Sequence, residues 1–218
     1  MWKYAPYKLV LSYTRLMMGF LLFHPAPRDI LIVGLGGGSL SKYCYRYLPE
    51  ARITTVEISD KVIALRETFA IPADDERFRI VHADGADYIK RCFKDFDAIL
   101  LDGFDVDGLP SQLSSQSFYR QCVSALRKNG VLVANLLEGD WTVAACVRRL
   151  RRVFNNQVVG ARPERGFNLV LYALNQRKLP EPDVLQHRAM ELETRHDLNF
   201  RSMVPKIQSD IRPCWTFF

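Results

Sequence analysis

Short runs of consecutive apolar residues alternate along this chain with segments whose apolar residues recur every three or four positions. The runs suit strands buried on both faces of a parallel sheet, and the spaced segments suit amphipathic helices. The pattern predicts strands over 30–33, 52–58, 78–82, 96–101, 131–136, 157–161 and 167–174. It predicts helices over 39–48, 60–69, 86–93, 115–127, 142–154 and 184–195, with Asp60 capping the second and Asn129-Gly130 ending the fourth.

The order of these elements predicts an α/β fold. Strand–helix alternation implies right-handed crossovers and a doubly wound, Rossmann-like sheet of seven strands, mostly parallel, with helices on both faces. Only residues 162–166 separate the last two strands, too few for a parallel return, so we expect a closing antiparallel hairpin. We divide the chain into a helical lead-in (1–28), a Rossmann-like domain (29–178) and a C-terminal helix and tail (179–218).

Composition is that of a globular protein: 218 residues, 48% hydrophobic and 25% charged. The longest apolar run, residues 16–23, is too short to cross a bilayer, which takes about 20 residues. Basic residues precede it as in a signal peptide, but no small-residue cleavage site follows, so we interpret it as a buried helix. The five cysteines form no CxxC pair, which favours reduced thiols in the cytoplasm and no metal site.

The net charge of +6 comes entirely from residues 145–218, because positive and negative side chains balance over 1–144. Four arginines, Arg148, Arg149, Arg151 and Arg152, alternate there with apolar residues at helical spacing. Such a patch can attract nucleic acid. The spacing fits the solvated face of an outer helix better, so nucleic acid is disfavoured as a partner.

The turn after the first predicted strand is rich in glycine, at Gly34, Gly36, Gly37 and Gly38. Glycine lets the chain turn sharply and lets a ligand approach the backbone, and the following helix points its amide donors at that ligand. A dinucleotide fingerprint would have glycine at position 39, where this chain has serine. A nicotinamide cofactor is therefore disfavoured.

Acidic residues stand at or just after the ends of the next three predicted strands. Glu57 ends the second strand, Asp84-Gly85 follows the third, and Asp102 and Asp105 follow the fourth. Ligands of open α/β sheets bind at the carboxyl ends of the strands, where a carboxylate can accept ribose hydroxyls or an adenine amine. A nearby pair of carboxylates also suits a general base. The alternatives are a surface carboxylate at Glu57, a helix N-cap at Asp84 and a solvated acidic loop after Asp102.

Together, the GxGxG turn, Glu57, Asp84-Gly85 and the Asp102…Asp105 pair resemble the spermidine synthases, which are polyamine aminopropyltransferases, across about residues 13–174. The resemblance implies the fold of class I S-adenosylmethionine-dependent methyltransferases. It implies a site for decarboxylated S-adenosylmethionine made of Gly34, Gly36, Gly37, Gly38, Glu57, Ile58, Asp84, Gly85 and Asp102. It also implies catalytic roles for Asp102 and Asp105, which supply the base for the attacking amine, and for Tyr13 in the acceptor pocket.

Four residues, at three places in the chain, depart from the family pattern. Gly37 replaces the aspartate that holds the amine of the decarboxylated cofactor, Thr14 and Arg15 replace an amide or histidine and a glutamate, and Arg162 replaces a tyrosine. Fewer carboxylates and two added arginines are expected to weaken binding of a polycationic amine. Ordinary S-adenosylmethionine, which carries a carboxylate, therefore becomes an alternative to the decarboxylated form.

The leading hypothesis is a spermidine-synthase-like transferase that moves an aminopropyl group onto a small-molecule amine. The first alternative is methyl transfer from S-adenosylmethionine to an unknown acceptor, and the second is a family member that binds a nucleoside without catalysis. We expect no membrane partner and leave a homodimer open.

Overall fold

The computed structural model describes residues 5–104, 108–139 and 142–207. Within those ranges the strands are β1 (Asp29–Val33), β2 (Arg52–Glu57), β3 (Phe78–His82), β4 (Phe96–Leu101), β5 (Leu126–Leu137), β6 (Val158–Ala161) and β7 (Asn168–Leu174). The helices are α1 (Ser12–Met17), α2 (Ser39–Tyr47), α3 (Asp60–Ala64), α4 (Gly85–Ile89), α5 (Ser111–Ser114), α6 (Gln116–Ala125), α7 (Val143–Val153) and α8 (Pro182–Glu193). Two 3-10 turns cover Met18–Leu22 and Val204–Lys206.

The seven strands form one sheet in the order β3-β2-β1-β4-β5-β7-β6. Strands β1 to β5 run parallel, and β7 is antiparallel to both of its neighbours, β5 and β6. The predicted α/β class, the seven strands and the closing hairpin are confirmed. The direction of the chain through the sheet reverses between β1 and β4, so their carboxyl ends form the crevice in which open α/β sheets bind ligands.

The sheet separates two buried clusters of side chains. One face is covered by α1, the Met18–Leu22 turn, α2 and α8, and we call it the α2 face. The other is covered by α4, α6 and α7, and we call it the α6 face. The apolar run 16–23 lies on the α2 face with Met17, Phe20 and Leu21 fully buried, which confirms the buried interpretation. It begins as α1 and tightens into a 3-10 turn at Met18.

The helix predicted over 60–69 is shorter, and its predicted cap is wrong. Helix α3 ends at Ala64, and its N-cap is Ser59, whose Oγ accepts from the Val62 amide at 3.3 Å. Beyond it the chain turns through Ala70, which has a φ of +50°. This turn brings Phe69 and Ile71 against Gly37 and Gly38. The helix therefore ends before residue 69, because packing on the glycine turn outweighs the helical propensity of this segment.

The end predicted for the helix over 115–127 is also wrong. Helix α6 stops at Ala125, and Leu126 is already extended and paired with Phe96 of β4. Asn129, with a φ of +66°, and Gly130 therefore lie in an irregular stretch of β5 and not at the helix end. Burial of Leu126 between the strands and α6 outweighs the local turn signal. The helix predicted over 86–93 also ends early, at Ile89.

Helix α7 confirms the interpretation of the arginine-rich segment as an amphipathic outer helix. Val143, Cys146, Val147 and Leu150 are buried on the α6 face. Arg149 donates to the carbonyl oxygen of Ser114 in α5 at 2.9 Å. In the described ranges, no helix is both long enough and apolar enough to span a membrane.

Candidate active site

The carboxylate of Asp102 lies at the switch point of the sheet, directly after β4. Its backbone amide donates to the carbonyl oxygen of Val33, which joins the carboxyl ends of β4 and β1. Tyr13 of α1 donates its hydroxyl to Asp102 Oδ2 at 3.3 Å. Asn135 of β5 donates Nδ2 to Asp102 Oδ1 at 2.9 Å. Two of the predicted catalytic residues, Asp102 and Tyr13, therefore meet although 89 positions separate them.

The surroundings of Asp102 favour a group that can exchange protons near neutral pH. Burial raises the pKa of Asp102 to about 6, against the opposing effect of hydrogen bonds from Asn135 and Tyr13. Burial and the neighbouring carboxylate also raise the pKa of Tyr13 above its usual range, so its proton stays on the phenol. A carboxylate with a pKa near 6 is ionised at pH 7 and able to accept a proton.

A second amide, which sequence analysis did not single out, supports Asn135. Asn168, the first residue of β7, donates Nδ2 to Asn135 Oδ1 at 3.0 Å. The antiparallel register pairs Leu137 with Asn168, so Asn135 and Asn168 are diagonal neighbours on one face of the sheet. The signal available in the sequence was a polar residue, Asn135, inside the apolar stretch 131–137 of β5.

The glycine turn packs tightly at one end and is open in the middle. Gly34 has a φ of +97°, and a Cβ there would collide with the carbonyl oxygen of Asp102, so glycine is needed for contact between the two strand ends. Gly36 has a φ of +49°, and a Cβ there would meet no atom within 4 Å. The backbone at Gly36 therefore faces open space, and contact with a ligand there stays a prediction.

Glu57 ends β2 and is buried, with 8% of its surface exposed. Its Oε2 accepts from the amide of Leu35 in the glycine turn at 2.8 Å, and its Oε1 accepts from the amide of Ser59 at 2.9 Å. Each carboxylate oxygen has a second acceptor position, which leaves room for ribose hydroxyls. Glu57 thus shapes the glycine turn whether or not a nucleoside is bound. The adjacent Ile58 is 62% exposed, so its apolar side chain lies on the surface next to Glu57.

The alternative interpretation of Asp84 as a helix cap is confirmed. Its Oδ1 accepts from the amides of Ala86 and Asp87 at 2.7 and 3.2 Å, at the start of α4. Gly85 has a packing role as well, because a Cβ there would lie 2.5 Å from Cγ1 of Val33. The capping bonds use only Oδ1, so a role in adenine binding for Oδ2 stays a prediction. Asp105, the other predicted base, lies outside the described residues.

The two arginines expected to weaken a polyamine site have other partners. Arg15 donates to the carbonyl oxygens of Leu9 and Val10 at 2.9 and 2.7 Å, and so holds the segment before α1. Arg162 binds the carboxylate of Glu138 through Nε and Nη2, the latter at 2.7 Å. This pairing neutralises Arg162 locally, so its expected repulsion of a cationic acceptor is reduced.

A cavity of about 200 Å³ lies between the glycine turn and Asp102. The glycine turn forms one wall, and the other lining residues are Leu11, Tyr13, Thr14, Ser39, Leu40, Phe69 and Asp102. Phe69 is held over Gly37 because buried Lys42 donates Nζ to its carbonyl oxygen at 2.6 Å. Sites for drug-sized ligands span roughly 300–1,000 Å³. This cavity is smaller than that range, and Gly36 in its wall faces open space.

A larger groove of about 490 Å³ lies at the opposite edge, near the amino ends of β1 to β3. Three of its charged side chains belong to one set of ion pairs: Arg52 pairs with Asp29 at 2.7 Å, and Arg127 pairs with Asp29 and Asp97 at 2.7 and 3.2 Å. These contacts join strand ends, and the groove does not reach the predicted site residues.

Comparison with known proteins identifies the family. Residues 10–157 match the spermine/spermidine synthase domain. The chain belongs to the spermine/spermidine synthase family. The polyamine aminopropyltransferase of Chromobacterium violaceum is 40% identical over 205 residues, which cover 93% of this chain and 78% of that protein. The predicted resemblance of the chain to spermidine synthases is thereby confirmed.

Methyltransferases are also similar to this spermidine-synthase-family chain. The eEF1A lysine and N-terminal methyltransferase homolog of Drosophila melanogaster is 30% identical over 164 residues, which cover 69% of this chain and 24% of that protein. The structure of human methyltransferase-like protein 13 in complex with SAH has a TM-score of 0.75 at 26% identity, covering 84% of this chain and 91% of that one. The fold expected from the class I methyltransferases is therefore present.

Proposed function

We propose that this protein is an aminopropyltransferase that acts on a small polyamine-type amine, with decarboxylated S-adenosylmethionine as the donor. The observation that carries the proposal is the Asp102 carboxylate, with a pKa of about 6, on the same cavity as the open glycine turn. The chain's family and its similarity to polyamine aminopropyltransferases support the same reaction.

In this proposal Asp102 is the general base. An amine is mostly protonated at pH 7 and cannot attack in that form, so the proton must leave before or during the reaction. The amine nitrogen forms a bond to the propyl carbon attached to sulfur, the carbon–sulfur bond breaks, and its electron pair stays on sulfur as a neutral thioether. The proton lost by the amine goes to Asp102. The sulfonium is a good leaving group, so the protein mainly positions reactants and accepts that proton.

The remaining site residues are proposed to hold the nucleoside. Glu57 would accept the ribose hydroxyls, Ile58 would contact the base, and Asp84 would receive the adenine amine through Oδ2. Support comes from the second acceptor positions on Glu57 and from the open surface at Gly36. Gly34 and Gly85 would contribute by bringing the strand ends together rather than by touching the ligand.

The test is to incubate the protein with decarboxylated S-adenosylmethionine and a panel of amines and to measure methylthioadenosine together with the elongated amine. Asp102→Asn should lower turnover by about 100-fold or more, the usual contribution of a general base, and leave nucleoside affinity nearly unchanged. Asp87→Asn is the matched control, because Asp87 is exposed and pairs with Lys90 away from the cavity. Full turnover by Asp102→Asn would remove Asp102 from the mechanism.

Methyl transfer from S-adenosylmethionine is the second candidate. The observations that favour it are the similarity to the Drosophila methyltransferase homolog and the structural match to human methyltransferase-like protein 13. The two reactions leave different nucleosides, because aminopropyl transfer releases methylthioadenosine and methyl transfer releases S-adenosylhomocysteine. Chromatography of the nucleoside product after incubation with each donor decides between them.

A further inference from the structure

Three polar side chains on the α2 face form a chain of hydrogen bonds that ends on Asp102. Asn168 donates to Asn135 at 3.0 Å, and Asn135 donates to Asp102 at 2.9 Å. Asn135 is buried, with 2% of its surface exposed, whereas Asn168 stands at the half-buried start of β7. Asn135 contacts Asp102 directly, and Asn168 reaches it only through Asn135.

We infer that Asn168 is a positioning residue for the proposed reaction, because it fixes the orientation of the Asn135 amide and thereby keeps an N–H donor facing the Asp102 carboxylate. The assignment of Asp102 as the base rests on the proposed function. The orientation of the amide is a structural statement that can be tested without turnover.

The two ends of the Asn135 amide have opposite hydrogen-bonding character. Its oxygen can only accept and its nitrogen can only donate. If the amide rotated by half a turn, its oxygen would face the Asp102 carboxylate and its nitrogen would face the nitrogen of Asn168. With the Asn168 amide in its observed orientation, both contacts would be repulsive, and burial gives Asn135 little access to water as a substitute partner. The donor from Asn168 therefore selects one of the two orientations.

Without the Asn168 donor, the Asn135 amide could rotate and turn its oxygen toward Asp102. This would favour the protonated form of Asp102, since a carboxylic acid can donate to that oxygen and a carboxylate cannot. Among the described residues, Tyr13 of α1 is the titratable group that contacts Asp102. The two carboxylates on the neighbouring strand ends are directed to other partners. Glu57 at the end of β2 binds the amides of Leu35 and Ser59, and Glu138 after β5 binds Arg162.

The experiment compares Asn168→Leu with Asn175→Leu. Asn175 directly follows β7 at its other end, is half-buried, and donates its amide to the carbonyl oxygens of Leu126 and Arg127 at 3.4 and 3.1 Å. Both variants therefore lose local hydrogen bonds. Only Asn168→Leu removes a member of the hydrogen-bonded series that runs from Asn168 through Asn135 to Asp102. If Asn168→Leu lowers the melting temperature too far for assay, Asn168→Ala replaces it.

We expect Asn168→Leu to shift the acid limb of the pH profile of kcat/KM to higher pH, by about one pH unit. The rate at pH 5.5 should fall about tenfold and recover at pH 8.5. Asn175→Leu should leave the limb in place. Adding Asn168→Leu to Asn135→Leu should shift the limb no further, because Asn168 acts through Asn135.

A second readout separates this inference from the proposed function. The carbonyl stretch of protonated Asp102, obtained from infrared spectra with Asp102→Asn as the subtraction reference, can be titrated with no substrate present. Its midpoint should rise in Asn168→Leu and stay in place in Asn175→Leu. If the wild-type protein transfers no group, the proposed function fails while this titration still decides the inference. An unchanged midpoint in Asn168→Leu, an equal shift in Asn175→Leu, or a further shift in the double variant would overturn it.

Discussion

Asp102→Asn replaces a carboxylate by an amide of nearly the same shape, and the structure allows its effect on stability to be worked out. The new amide would keep an oxygen toward Asn135 Nδ2 and would present its own nitrogen to the Tyr13 hydroxyl, which can accept. The hydrogen bonds are therefore replaced, and the main change is removal of a buried charge.

The magnitude follows from the pKa of Asp102, which rises from 3.8 to about 6 on folding. Between these two pH values the folded protein holds a proton that the unfolded chain has lost, so the contribution of Asp102 to stability falls as pH rises. A difference of about two pH units corresponds to about 3 kcal/mol. Asp102→Asn does not titrate, so above about pH 6.5 its free energy of unfolding should exceed that of the wild type by up to about 3 kcal/mol.

Urea denaturation from pH 4 to pH 8 checks this expectation. The stability difference between Asp102→Asn and the wild type should be small at pH 4, grow between pH 4 and 6, and stay level above that. At pH 8 the melting temperature should rise by roughly 5–10 °C. Asp87→Asn, which removes an exposed carboxylate, should show no comparable rise. A less stable Asp102→Asn at pH 8 would refute the idea that the site holds a costly buried charge.

Two further changes test individual contacts. Tyr13→Phe removes the donor to Asp102 Oδ2, so the acid limb of kcat/KM should move up by roughly one pH unit, and a downward shift would contradict the assignment. Gly85→Ala places a Cβ against Val33 and should cost about 1–3 kcal/mol in urea denaturation. Adding Val33→Ala should recover part of that cost without changing nucleoside affinity, whereas additive losses would show that Gly85 has another role.

The sheet could be predicted because its strands are buried on both faces, which makes them nearly continuous apolar runs. Strands β3 and β4 were predicted with their observed bounds, and β1 and β2 agree within one residue. Helix ends were less predictable, since they depend on contacts made elsewhere in the fold. Phe69 and Ile71 leave the helical path to cover the glycine turn, and Leu126 leaves it to pair with β4.

The placement of the candidate site residues could be predicted where acidic or glycine residues follow the end of a strand. Asp102, Glu57 and the glycine turn stand at the carboxyl ends of strands, a position that topology alone marks as a ligand site. The division of roles among the glycines was not predictable, because the distance from Gly85 to Val33 and the open space at Gly36 depend on how helices pack on the sheet. The pairing of Arg162 with Glu138 was missed for the same reason, since the partner comes from another strand end.

Asn135 shows how such a partner can be recognised in a sequence. It interrupts the apolar stretch 131–137 of β5, where an amide is stable only if both of its ends find partners. Parallel neighbours bring strand ends together, so Asn135, one position after the pairing of Ala134 with Leu101, must lie beside the residue that follows β4. That residue is Asp102, and the oxygen of the same amide accepts from Asn168 of β7. A buried amide beside a switch-point carboxylate therefore points to a further polar partner on the neighbouring strand.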